Sequence, residues 1–147
     1  MWQSTDAARL AEVTSAQLRE WTKRGIITPD VAGRGAGHHA LYGWQTVLVI
    51  SAIGKMRSRF GIELGRWAEP ANAARKVLDQ VSFLRLWGSL LVFQGGPKVG
   101  LVFKSSDVAV PSLVVELDPH LARLANEMQL PGAPSQLPLL APIGSRL

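Results

Sequence analysis

AARLAEVTSAQLREWTKRGIITPD, residues 7–30, decides the reading of the fold. Thr14 and Gln17 form a T-x-x-Q capping box, in which each side chain satisfies a free backbone N–H of a helix's first turn. Leu18 and Trp21 give that helix an apolar face. Lys23 and Arg24 suit its negative end, and Gly25 can stop it in a left-handed cap. One break earlier, at Val13–Thr14, a first short helix ends. It is predicted over STDAARLAEV, residues 4–13, with Ser4 or Thr5 as cap, Asp6 at the positive end, and Ala7, Leu10 and Ala11 on one face. Ile26 and Ile27 form an apolar anchor before Thr28–Pro29.

Outward from this pair runs GRGAGHHALYG, residues 33–43, a glycine-rich loop carrying one arginine, two adjacent histidines and the chain's single tyrosine. A third helix is predicted from about Trp44 to Arg57, striped by Val47, Leu48, Ile50, Ile53 and Met56. A longer helix follows over residues 71–87, with Pro70 marking a boundary. The second half changes character. SLLVFQGGPKVGLVF, residues 89–103, reads as a β-hairpin around Gly95-Gly96-Pro97-Lys98. SLVVELD, residues 112–118, reads as a third strand, and Asp118–Pro119 as the cap and first position of a last helix. The class is α+β: a mainly helical N-terminal part, then a small antiparallel sheet and a helix. The expected division is 1–78, 79–130 and a proline-rich tail, 131–147, which should be extended or disordered unless something holds it.

The chain has 147 residues, 47% of them apolar, and a net charge of +5. Residues 1–78 hold 11 Lys/Arg against 6 Asp/Glu, while residues 79–147 hold 5 against 5. All the excess positive charge therefore sits in the first half, which points to an anionic partner there, nucleic acid by default. A merely solvated basic surface is the other reading. With no cysteine, disulfides, thiolate metal sites and thiol switches are excluded. The N-terminus lacks a signal-peptide pattern and no apolar run reaches membrane-spanning length, so the expectation is a cytoplasmic protein with no membrane contact. There is no G-x-S-x-G elbow and no histidine–carboxylate pair at workable spacing, so an enzyme is not expected.

Two short helices, a tight break, a glycine stop and a basic second helix make a helix-turn-helix pattern. With the glycine-rich loop ending in LYGWQTV, then IGKMRSRFGIELGRW, residues 4–78 resemble the winged helix-turn-helix of the MerR family of transcription regulators. Leu18, Arg19, Trp21, Lys23, Gly25, Ile26, Ile27 and Pro29 fill the family's pattern. Ala16, Glu20 and Ala40 stand where members often carry arginine, tyrosine and arginine, which marks a divergent branch. The resemblance implies a homodimer on double-stranded DNA, joined through a long helix after the DNA-binding domain. Here that helix would be Lys76 to Trp87, with Val77, Leu78, Val81, Leu84 and Trp87 inward.

The loop over residues 33–43 is then the wing. Gly33, Gly35 and Gly37 would let it bend close to a sugar-phosphate backbone, and Arg34, His38 and His39 would donate to phosphate. Tyr42 would end it with a packed ring and a free hydroxyl. A phosphate cradle fails, because G-x-G-x-x-G needs glycine where His38 stands. A metal site fails too, because neighbouring histidines on a strand point apart and His120 is remote, so neither cofactor nor metal is expected. The expected DNA contacts are Ser15, Gln17, Arg19, Trp21, Lys23 and Arg24 of the second helix with Arg34, His38, His39 and Tyr42 of the wing. Trp21 can equally be core, Gln17 only a cap, and the basic residues a solvated face. The hairpin is apolar on both faces, which calls for a second copy or another protein partner against the C-terminal region. Sequence-specific regulation of transcription by a homodimer is the expected function. An architectural, excisionase-like or phage-packaging DNA-recognition protein is one alternative, and a protein-interaction module without DNA binding is the other.

Overall fold

The computed structural model describes residues 1–35 and 37–132. Among the described residues five α-helices, α1 (Ser4–Ala11), α2 (Ser15–Lys23), α3 (Trp44–Phe60), α4 (Ala68–Asp79) and α5 (Asp118–Glu127), combine with five strands. These are β1 (Trp2–Gln3), β2 (Leu41–Tyr42), β3 (Leu90–Gly95), β4 (Lys98–Val102) and β5 (Leu113–Glu116). The class is α+β, with helices first and a three-stranded antiparallel sheet in the order β4-β3-β5 before the last helix. No helix among the described residues is long and apolar enough to cross a membrane.

The capping box forms as expected: Gln17 N–H donates to Thr14 Oγ1 at 3.0 Å and Thr14 N–H to Gln17 Oε1 at 2.9 Å. Gly25 takes the left-handed stop at φ +76°, and Ile26 and Ile27 are buried behind it. α1 starts differently. Neither Ser4 nor Thr5 caps it; Gln3 does, with no side-chain bond. The reason is tertiary: Trp2 and Gln3 are drawn into an antiparallel pair with Tyr42 and Leu41, so the chain enters α1 straight from a strand.

α3 is the spine. It runs three residues past the expected end, to Phe60, and buries residues nearly all round, including Thr46, Val49, Ser51 and Ala52 besides the predicted stripe. Only a helix at the centre of a molecule has neighbours on every side. The turn between α1 and α2 packs on it closely enough that a Cβ at Gly54 would lie 2.6 Å from Val13 Cγ1. Gly→Ala inside a helix ordinarily stabilises by about 1 kcal/mol. Here the stiff, branched valine cannot swing away, and overpacking costs about 1–3 kcal/mol. Gly54→Ala should therefore lower the urea midpoint. Added to Val13→Ala, it should raise it; a stabilising single variant would contradict the close approach.

The predicted helix over residues 71–87 is broken. α4 ends at Asp79, Ser82 is extended, and Phe83–Leu86 is a single 3-10 turn. The break lets Phe83 turn inward, its ring edge-on to Trp44 at 5.2 Å and to Trp87 at 6.3 Å. Lys76 to Trp87 is thus not one helix, and the long dimerisation helix is absent at that place. Pro70 lies in the first turn of α4, where its missing N–H has no helical partner to lose.

The hairpin turns at Gly96-Pro97 between paired Gly95 and Lys98, and β5 adds to the other edge of β3. Leu91, Phe93 and Val115 face the helices, with Phe93 edge-on to Trp67 at 5.2 Å. On the opposite face Val92 is also buried, beneath the Asp107–Ala109 segment of the β4–β5 connection. The chain itself covers this part of the second face, where sequence reasoning called for another subunit. Asp118 begins α5 rather than capping it, and its carboxylate accepts the N–H of Gly88 at 2.7 Å. Among the described residues, the buried apolar cluster runs from Ala7 to Ala125. The proline-rich tail lies, from residue 133 on, outside the described residues.

Candidate nucleic-acid interface

α2 buries Leu18 and Trp21 and turns Arg19, Glu20 and Lys23 outward. Neither Arg19 nor Lys23 meets a carboxylate within ion-pairing distance among the described residues, whereas Arg24, on the helix flank, lies 3.7 Å from Glu63. Ser15 is half-buried. Gln17 is half-buried as well, its side chain held in the capping box. Trp21 is 3% exposed and Tyr42 2%. Both are framework residues, so the structure removes them from the outward surface. The hydroxyl of Tyr42 is not free: it shares a 3.0 Å hydrogen bond with Thr22 Oγ1. That bond ties the last residue of the wing to α2.

The wing base is a small ladder. Leu41 pairs with Gln3 on one side and bridges Val31 on the other. At the tip, Arg34 N–H donates to the carbonyl of His38 at 2.8 Å, closing a tight turn in which Gly35 and Gly37 hold φ of +67° and +82°. Gly33 meets a different demand: a Cβ there would press on the backbone N of Ala40 at 3.1 Å. Arg34, His38 and His39 are all exposed around one shallow hollow with Gln3 and Val31. The structure thus brings the three expected wing donors together.

Sequence reasoning missed what holds the wing against α3. Arg75, from α4, donates through Nη2 to Asp30 Oδ1 at 2.7 Å and through Nε to Thr46 Oγ1 at 2.9 Å, and it pairs with Asp79. Asp30 Oδ2 accepts the N–H of Gly43 at 2.6 Å. Burial alone would raise the carboxyl of Asp30, but the Gly43 N–H and the Arg75 guanidinium outweigh it and hold it below the ordinary carboxylate range. Burial likewise works against the charge on Arg75, and its two carboxylates more than restore it. The loop before the wing and the first turn of α3 are therefore pinned by one arginine. The i, i+4 spacing of Arg75 and Asp79 was readable; the 45-residue reach to Asp30 was not.

An outward basic helix face beside a basic, glycine-hinged wing, each pinned to a shared spine, suits a convex polyanion. Comparison with known proteins agrees. Residues 3–71, a little under half of the chain, match the family described as MerR HTH family regulatory protein. No curated protein matches the chain. Over residues 3–71 the chain is therefore similar to the helix-turn-helix regulators of that family.

Proposed function

We propose that the protein is a sequence-specific, DNA-binding transcription regulator that acts as a homodimer. The observation that carries this reading is the pair Arg19 and Lys23, outward and without carboxylate partners among the described residues, on a capped helix that Thr22 and Tyr42 tie to the wing. α2 enters the major groove, where Arg19 and Lys23 reach bases or phosphates, and Ser15, Gln17 and Arg24 flank them. Arg34, His38 and His39 take the neighbouring phosphates. Two protomers would read a symmetric site. Exposed Phe103, Val110 and Leu113 on the sheet side supply apolar surface for a dimer, in place of the helix that ends at Asp79.

Mapping of bound genomic sites tests the function. A few promoter sites support a regulator. The short α4 also favours a second reading, an architectural or recombination-directing protein, for which one attachment or viral site would speak. No bound site would sink both, and sedimentation of the full chain decides the dimer. The wing has its own test. Arg34→Ala should weaken binding to many sequences alike and flatten the salt dependence by about 0.9 in slope, the value for one lost phosphate contact. An unchanged slope would reduce the loop to a linker.

A further inference from the structure

We propose that the hollow between the C-terminal end of α3 and the β5–α5 corner binds a small organic carboxylate with an apolar body. The hollow encloses about 340 Å³, at the lower end of the range of ligand sites. Met56 is buried in it, and Phe60 and Val114, at its walls, are 68% and 42% exposed. Lys55 and Arg59 stand one helical turn apart at its rim. Like charges so placed repel, and neither finds a carboxylate at ion-pairing distance among the described residues. Glu116 is the one carboxylate lining the hollow, against three cations, Lys55, Arg59 and Arg123.

The feature that points to a ligand is His120, 4% exposed and lining the same hollow. Its Nδ1 lies 2.8 Å from Arg123 Nη2 and 2.5 Å from Ser51 Oγ. An arginine only donates, so Nδ1 accepts, and the neutral ring carries its proton on Nε2. No described residue accepts from that N–H. Arg123 cannot be the ligand's partner, because its donors are taken by the carbonyls of Leu10 and Pro119, Ser51, His120 and Glu12. What remains is one fixed neutral donor, two free cations and an apolar wall. One carboxylate oxygen fits the Nε2–H and the other fits Lys55 or Arg59. A ring or short alkyl chain fits Met56, Phe60 and Val114. A bare phosphate would leave the apolar wall unused.

Benzoate and hexanoate are the probes, titrated into the full chain and followed by saturation-transfer and ¹H–¹⁵N NMR, with inorganic phosphate at matched ionic strength as contrast. Both carboxylates should bind, shift signals within 55–60 and 113–123, and move the His120 Nε2 resonance. Lys55→Gln with Arg59→Gln should weaken binding about tenfold, as loss of charge-assisted bonds would, at an unchanged melting temperature. His120→Asn should weaken it similarly, since its Oδ1 can still accept from Arg123 while nothing replaces Nε2–H. The proposal falls if neither probe binds up to about 20 mM. It also falls if the double variant binds as well as the parent, or if phosphate binds as tightly as benzoate.

Discussion

A chain carrying Arg19→Ala and Lys23→Ala together should bind duplex DNA about 100-fold more weakly than the parent, a loss of about 2.7 kcal/mol. Each side chain projects from the outward face of α2 with no internal partner among the described residues, so the folded protein loses little when they are truncated. Exposed positions of this kind rarely change stability by more than about 0.5 kcal/mol. Their loss is felt only in the complex, where a base contact contributes about 1–3 kcal/mol and a phosphate contact about 0.9 in the slope of log affinity against log salt. Fluorescence anisotropy across salt separates the two roles. A side chain that reads a base loses discrimination between sites, while one that neutralises phosphate weakens all duplexes alike and flattens the slope. Glu20 is exposed on the same helix as the two cations, so Glu20→Ala should tighten non-specific binding at low salt. If the double variant keeps its affinity, α2 is not the recognition element, and the outward charge is only solvated surface.

The residues that made this helix readable act within a few positions of one another. Thr14 and Gln17 meet across one turn, Gly25 stops the helix that Lys23 and Arg24 end, and the hairpin is set by Gly96-Pro97. Each is a local contest that neighbours decide, so pattern and outcome agree. The misreadings share a different cause. Phe83, Leu84, Leu86 and Trp87 continue the helical pattern of α4 well enough to predict one long helix. The chain instead breaks at Gln80–Ser82, and Phe83 packs edge-on against Trp44, a long-range contact that the helical pattern does not signal. Ser4 and Thr5 are good caps in isolation, yet the pairing of Trp2 with Tyr42 moves the cap to Gln3. Trp21 and Tyr42 sit at positions where the resemblance suggested contact, but burial claims them. The Asp30–Arg75 and Ser51–His120–Arg123 clusters join residues 45 to 72 positions apart, and no local pattern signals such pairs.

Arg123→Ala should destabilise the fold by about 3 kcal/mol, because it strips partners from several enclosed polar groups at once. The guanidinium holds α5 to α1 through the carbonyl of Leu10 at 3.1 Å and Glu12 at 3.3 Å, and to α3 through Ser51 at 2.7 Å. Arg123→Lys keeps charge without the planar fork and should recover less than half of the loss. Acid titration checks the same cluster. Burial first, then the charges of Arg123 and Lys55, push His120 down from 6.5 to about 4. Between those values the unfolded chain binds the proton and the folded one refuses it. Stability is therefore full above about pH 6.5 and declines as pH falls towards 4, by about 2 kcal/mol once solvent access is allowed for. His120→Asn should remove that decline. In Arg123→Ala one repelling charge is gone, so the decline should shrink while the stability at pH 7.5 is already lower. Hydrogen exchange locates the effect: α5 amides should lose protection before those of α1 and α3. Should α5 stay protected in Arg123→Ala, with the urea midpoint unmoved, the apolar contacts of Leu121 and Leu124 alone would hold the last helix to the DNA-binding half, and the arginine would be no clamp.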